Sequence, residues 1–192
     1  VDSMLLAIKK AKETNTPFVF DPVGVGASAY RTETALKIIE TSTPTIIRAN
    51  ASEIMALAQL SLATRGVDST MNTQDAVEGA VLLSKKLGNT IVVSGAVDCI
   101  VSGDRISRIY NGNALMAKVT GMGCTATAII GACIAVEKDS HKAALAAMAI
   151  MGIAGDMAKE ISNGPGSFQI NFLDCLHQIS VEDLKEKIKL DA

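Results

Sequence analysis

Three short apolar runs limit this chain more than any other feature. Phe18-Val19-Phe20, Thr45-Ile46-Ile47-Arg48 and Thr90-Ile91-Val92-Val93-Ser94 are too short for helices, rich in β-branched or aromatic residues, and bounded by turn formers. Helical patterns separate them. One covers Thr32–Thr41 with Ala35, Ile38 and Ile39 on a single face. A second begins at Asn50 and turns Ile54, Leu57 and Ala58 inward, ending in a polar loop around Arg65-Gly66-Val67-Asp68. A third runs from Gln74 to Leu87 and stops at Gly88-Asn89. Strand, helix and strand at this spacing form a parallel crossover, so the runs are expected to be buried strands of one sheet.

The flanks extend this plan. Leu5, Leu6, Ile8 and Ala11 place an amphipathic helix before Asn15 and Pro17. After Ser94, the segments Cys99-Ile100-Val101-Ser102 and Arg105–Tyr110 meet across Gly103-Asp104 as a hairpin, which makes the sheet mixed. Helices are then expected over Cys124–Val136, Lys142–Glu160, Phe168–Gln178 and Glu182–Ile188. With 192 residues, 48% of them hydrophobic, the chain can bury one substantial core. The expected fold is α/β: a central, mostly parallel sheet with helices on both faces and a helical C-terminal part, in a single domain over 1–192.

Composition removes several classes of partner. Eighteen basic against 20 acidic residues leave a net charge of −2, too little to steer a polyanion, and with no Trp and 3% aromatics there are few platforms for stacking bases. Nucleic acid is therefore not an expected partner. Val119–Val136 is uncharged, but its three glycines and three threonines read as a buried helix rather than a membrane span. Cys99, Cys124, Cys133 and Cys175 show no close pairing, and His141 and His177 lie far from the acidic motifs. Neither a zinc site nor a disulfide framework is expected, and a cytoplasmic location fits.

In an open α/β sheet the ligand sits beyond the carboxyl ends of the strands, so the residues just after each strand carry the information. Asp21 ends the first run, ahead of a Gly-rich loop, Val23-Gly24-Val25-Gly26-Ala27. Arg48 ends the second, where it can offer a fixed charge to a phosphate or simply lie in solvent. Ser94-Gly95 ends the third. Thr120-Gly121-Met122-Gly123-Cys124 opens the most apolar helix, and its two glycines let backbone N–H groups converge at a helix N-terminus, a setting that favours an anion but also suits a tight structural loop. Asn50-Ala51-Ser52-Glu53 fits an Asn form of the capping box; alternatively Glu53 pairs with Asp21 to hold Mg²⁺. Gly164-Pro165-Gly166-Ser167-Phe168 is a stiff turn into a helix.

Taken in order, Phe18–Ala27, Ile47–Ile54, Gly66-Val67-Asp68, Val93–Asp98, Lys118–Cys124 and Gly164–Gln169 resemble hydroxyethylthiazole kinase, a thiamine-salvage family of the ribokinase-like superfamily. Cys124 discriminates, because most ribokinase-like kinases carry an aspartate base after the glycine turn and this family carries cysteine. The resemblance implies transfer of the ATP γ-phosphoryl group to the hydroxyl of 4-methyl-5-(2-hydroxyethyl)thiazole. It places Cys124 at the proton-acceptor position, Arg48, Ser94, Thr120, Gly121, Met122 and Gly123 at ATP, Gly121 also at the thiazole, and Asp21 and Glu53 at Mg²⁺. It further implies a homotrimer, and a family N-terminal region that residues 1–192 do not include. Ala49, Ser94 and Met122 depart from the Gly, Thr and Ala usual in the family; Ser94 keeps the hydroxyl and Met122 adds bulk. A hydroxymethylpyrimidine or sugar kinase, and a non-catalytic nucleotide-binding module, are the alternatives.

Overall fold

The computed structural model describes residues 1–62 and 73–191; the polar loop expected around Arg65–Asp68 lies outside them. The chain divides into two compact units, the first comprising Val1–Gly95 and Cys99–Ile106, the second Ala96–Asp98 and the chain from Ser107 onward.

In the first unit α1 (Asp2–Glu13) leads to β1 (Val19–Phe20), α2 (Ala29–Thr41), β2 (Ile46–Asn50), α3 (Ala51–Leu62), α4 (Thr73–Leu87) and β3 (Thr90–Ser94). Helix α2 starts earlier than its apolar pattern suggests because the Ser28 side chain accepts from the Arg31 amide and caps it. The pairings are parallel, Val19 opposite Ile46 in β1–β2, and Ile46 opposite Thr90 through Asn50 opposite Ser94 in β2–β3. Ile46, Ile47, Ile91 and Val92 are fully buried although successive side chains point to opposite faces, so both faces of these strands are covered. Each such isoleucine contributes about 1.5–3 kcal/mol by leaving water.

β4 (Asp98–Ser102) runs antiparallel to β3, with Ile91 opposite Val101, and the chain returns as β5 (Arg105–Ile109). The strands hydrogen-bond in chain order, β1 to β6, in one mixed sheet. The last of them, β6 (Leu190–Asp191), is an addition to the expected plan and lies antiparallel to β5.

The second unit is mostly helical. A 3₁₀ turn at Met116–Lys118 precedes α5 (Met122–Val136), α6 (Ser140–Glu160), α7 (Pro165–Gln178) and α8 (Val181–Lys187). Asp139 caps α6 by accepting from the His141 and Lys142 amides. Buried positions run all round α6, from Ala143 and Ala144 through Met148, Gly152 and Gly155 to Ala158, the mark of an internal helix. Phe168 and Phe172, one turn apart on α7, are fully buried with ring centroids 6.0 Å apart. Among the described residues no helix is long and apolar enough to cross a membrane.

Helix α8 carries a reciprocal cap. Ser180 Oγ accepts from the Asp183 amide, and Asp183 Oδ2 accepts from the Ser180 amide. Asp183 Oδ1 also accepts from Lys187 Nζ at 2.7 Å. The bond from Lys187, then those from Ser180, hold the Asp183 carboxyl down at about 2. Its acid form is thus the one that folding disfavours. The contribution of this cap is complete above the ordinary carboxylate range and is lost as pH falls from about 4 towards about 2. An NMR titration of the Asp183 carboxyl is expected to show this depressed midpoint in the native protein, and Lys187→Met is expected to move it upwards.

Candidate functional site

β1 closes at Phe20, so Asp21 emerges at its carboxyl end as expected. Arg48 does not lie beyond β2. That strand pairs with β3 out to Asn50, so Arg48 sits inside it, opposite Val92. Ser94 is two residues further along β3 and therefore on the same face as Arg48. Arg48 Nη1 donates to Asp21 Oδ2 at 3.1 Å and Nη2 donates to Ser94 Oγ at 2.7 Å. One planar guanidinium, carried inside β2, thus ties the carboxyl ends of β1 and β3. The Ser94 hydroxyl in turn donates to the Ala49 carbonyl at 3.2 Å. The Arg48 and Asp21 side chains are only 15% and 13% exposed, and Arg48 Nε is buried without a hydrogen-bond partner. A buried donor left over in this way is rare.

The spacing of Asn50 and Glu53 admits both a cap and a metal pair, and the capping box is formed. Asn50 Oδ1 accepts from the Glu53 amide and Glu53 Oε2 accepts from the Asn50 amide, each at 3.0 Å. Glu53 does more than cap: its Oε1 accepts from the Gly24 amide at 2.8 Å, bracing the Gly-rich loop against the start of α3. Arg31 adds a second brace, its Nη1 donating to the Val23 carbonyl at 2.9 Å. Neither brace is visible in the sequence. The Asn-x-x-Glu spacing announces a cap but not its long-range partner, and Arg31 stands in no motif. A cleft of about 310 Å³ adjoins Asp21, walled by Phe20, Pro22, Val23, Tyr30 and Ile38.

The turn Thr120–Cys124 belongs to the second unit. Helix α5 begins two residues earlier than expected, at Met122, which places Gly123 and Cys124 in its first turn. Gly121 is the cap, with φ 93° and ψ −2°, a left-handed conformation that suits glycine. Its carbonyl accepts from the Thr125 amide at 2.9 Å and the Thr125 hydroxyl at 3.0 Å. No side chain caps this terminus, so the helix dipole and the first-turn amides remain available to an anion. Cys124 is exposed, Cys99 and Cys175 are buried and Cys133 is half-buried. Burial pushes the Cys133 thiol up, and does the same to Cys175 with help from Asp174 and Glu160, which leaves both poorly suited to proton acceptance.

The first unit therefore brings Asp21, Arg48 and Ser94 into direct contact and leaves Glu53 bonded to the adjoining loop. The second presents Thr120, Gly121, Met122, Gly123 and Cys124 along one helix start. Among the described residues no group of three or more His, Cys, Asp and Glu side chains is placed to cage a metal.

The chain is similar to known proteins along nearly its whole length. The model of the hydroxyethylthiazole kinase family matches residues 1–182. Hydroxyethylthiazole kinase of Leptospira biflexa is 48% identical over 188 residues, covering 98% of this chain and 70% of the relative. That of Syntrophus aciditrophicus is 48% identical over 193 residues, covering 100% and 72%. The structure of hydroxyethylthiazole kinase from Pyrococcus horikoshii OT3 superposes with a TM-score of 0.90 at 32% identity, over 99% of this chain and 70% of that one. A pyridoxal kinase from Staphylococcus aureus, at 20% identity and TM-score 0.58 over 80% of this chain and 59% of its own, shares the ribokinase-like fold. That fold is common to kinases of different specificity, whereas the family match and the 48% identity reach across nearly every residue: the chain belongs to the hydroxyethylthiazole kinase family.

Proposed function

We propose that this protein transfers the γ-phosphoryl group of ATP to the hydroxyl of 4-methyl-5-(2-hydroxyethyl)thiazole, as a thiamine-salvage kinase built on one ribokinase-like domain. The observation that carries the reading is the Arg48 guanidinium, fixed between Asp21 and Ser94 with Nε still unsatisfied. Phosphoryl transfer asks little covalent chemistry of a protein; it asks for position and compensating charge.

Arg48, inside β2, and Ser94, the last residue of β3, contact ATP. In the second unit Thr120, Gly121, Met122 and Gly123 offer backbone amides to phosphate oxygens, and Gly121 also touches the thiazole alcohol. Asp21 and Glu53 supply hard oxygen donors of the kind Mg²⁺ takes. Because both Glu53 oxygens already accept backbone N–H groups, the pair suits a cation that keeps its waters and binds the nucleotide phosphates. When bound, Mg²⁺ supplies charge neutralisation across those phosphates. Cys124, whose side chain is exposed, takes the proton-acceptor position towards the substrate hydroxyl. In a loose transition state little charge builds on the attacking oxygen, so a weak base suffices.

Cys124→Ser is accordingly expected to retain activity with kcat lowered about 10- to 100-fold. Complete loss with ATP binding intact, measured by titration calorimetry, would make the thiol a strict requirement and overturn the reading that a weak base suffices. Coupled ADP release in the presence of the thiazole alcohol and Mg²⁺ tests the reaction itself; ADP release independent of the alcohol refutes it. Assembly as a homotrimer in the cytoplasm completes the reading, and sedimentation velocity checks the assembly.

A further inference from the structure

The phosphate turn hangs from a connection, Asn111–Val119, that the reaction described above does not use. Asn111 is 4% exposed, and every polar atom of its amide is engaged. Nδ2 donates to Asp156 Oδ2 at 3.0 Å and to the Lys187 carbonyl at 2.9 Å, while Oδ1 accepts from the Lys189 amide at 2.7 Å. Asp156 Oδ1 accepts from the Gly112 amide at 3.2 Å, and its Oδ2 lies 3.5 Å from Lys189 Nζ. The Tyr110 amide donates to the Lys189 carbonyl, and β6 pairs beside β5 immediately before the connection. A fully satisfied polar network of this kind fixes one arrangement of the groups it joins.

Helix α6 is shaped for the same connection. A Cβ on Gly152 would stand 2.7 Å from the Asn111 Cβ and carbonyl oxygen, and one on Gly155 would stand 2.5 Å from Met116 Sδ. Glycines inside a buried helix forgo helix propensity, so their presence here answers to close approach. From Asn113 onward the connection is braced at each step. The Asn113 side chain accepts from the Leu115 amide, its carbonyl accepts from the Met116 amide, and Val119 is buried with its amide bonded to the Met116 carbonyl. Gly121 follows two residues later.

We infer that Asn111 and Asp156, seated on Gly152 and Gly155 of α6 and tied to the Lys187–Asp191 segment, are positioning residues that set where the Gly121 turn presents its amides to the nucleotide phosphate. The inference rests on the reading of that turn as the phosphate site.

The test uses the protein with Asp156→Ala, and with Ser84→Ala as a control that removes a buried hydroxyl serving Asn89 and Gly103 far along the chain from the turn. Hydrogen–deuterium exchange over residues 112–125 is expected to quicken about tenfold or more in Asp156→Ala, with peptides of β2 and β3 unchanged. KM for ATP is expected to rise, or kcat to fall, about 10- to 100-fold, as misplacement of a catalytic group does. Ser84→Ala is expected to lower the melting temperature while leaving both readouts alone. Exchange over 112–125 at the wild-type rate, or an equal loss in Ser84→Ala, overturns the inference. If Asp156→Ala does not fold, Asp156→Asn, which keeps the side chain's size but only one of the two oxygens that accept from Asn111 and Gly112, takes its place: faster exchange over 112–125 supports the inference and a wild-type rate overturns it. Exchange requires no turnover, so a protein that fails to phosphorylate the alcohol yet shows the local change separates the activity reading from the clamp.

Discussion

Arg48→Met is expected to lower kcat/KM for ATP by about 100- to 1000-fold, the usual loss when one preorganised donor to a developing charge is removed. Two effects combine, and they can be separated. The first is functional: Arg48 is held at both Nη atoms and so spends no ordering entropy when a nucleotide arrives. The second is structural. Taking away the guanidinium removes the Arg48 partner of the Asp21 carboxylate at a site 13% exposed. Losing one partner of a fully buried pair costs about 3–5 kcal/mol, and the residual exposure here brings the expected cost to about 2–3 kcal/mol. Arg48→Lys is expected to rescue little, because a single ammonium cannot span Asp21 and Ser94 as a planar fork does. Adding Asp21→Asn to Arg48→Met should restore most of the stability in a urea melt and none of the turnover. Unchanged ATP kinetics in Arg48→Met would remove Arg48 from the nucleotide site.

Gly121→Ala carries the second large effect, and by a different route. A Cβ there meets nothing within 4 Å, so no clash arises. The cost is conformational: at φ 93° an alanine is strained by about 1–2 kcal/mol. The chain relieves that strain by rotating the turn, which re-aims the first-turn amides of α5. A fall of about 100-fold in kcat/KM for ATP is expected, with the melting temperature lower by only about 2–8 °C. Asn tolerates the left-handed region better than Ala, so Gly121→Asn should lie between the two. Alanine and asparagine variants of equal activity would mean that φ at residue 121 does not control the site.

What the sequence makes visible is mostly local. Thr90–Ser94 appears in the structure residue for residue, since its β-branched run is bounded on one side by Gly88-Asn89 and on the other by Gly95. The Asn50–Glu53 cap is equally legible because both of its bonds close within three residues. Strand ends are not. Arg48, expected at the end of β2, lies inside it because β3 continues to offer partners as far as Asn50, a property of a segment about forty residues away. The Gly24 bond to Glu53, the Asn111 network and the two-residue β6 depend likewise on segments distant in sequence, and no propensity of Leu190 or Asp191 announces a strand. Cys124 stands out in the sequence by resemblance, and its exposure among otherwise shielded thiols adds a physical reason for the choice.

Helix α6 also limits how this protein can change over evolutionary time. Its interior positions are occupied chiefly by Ala and Gly, side chains with almost no volume to give up and no room to gain. Mutational drift along it is therefore one-sided: trimming is nearly exhausted, and each enlargement pushes on a neighbour that is already close-packed. A survey of tolerated substitutions should find this helix the most conservative in residue size, even where it touches no ligand.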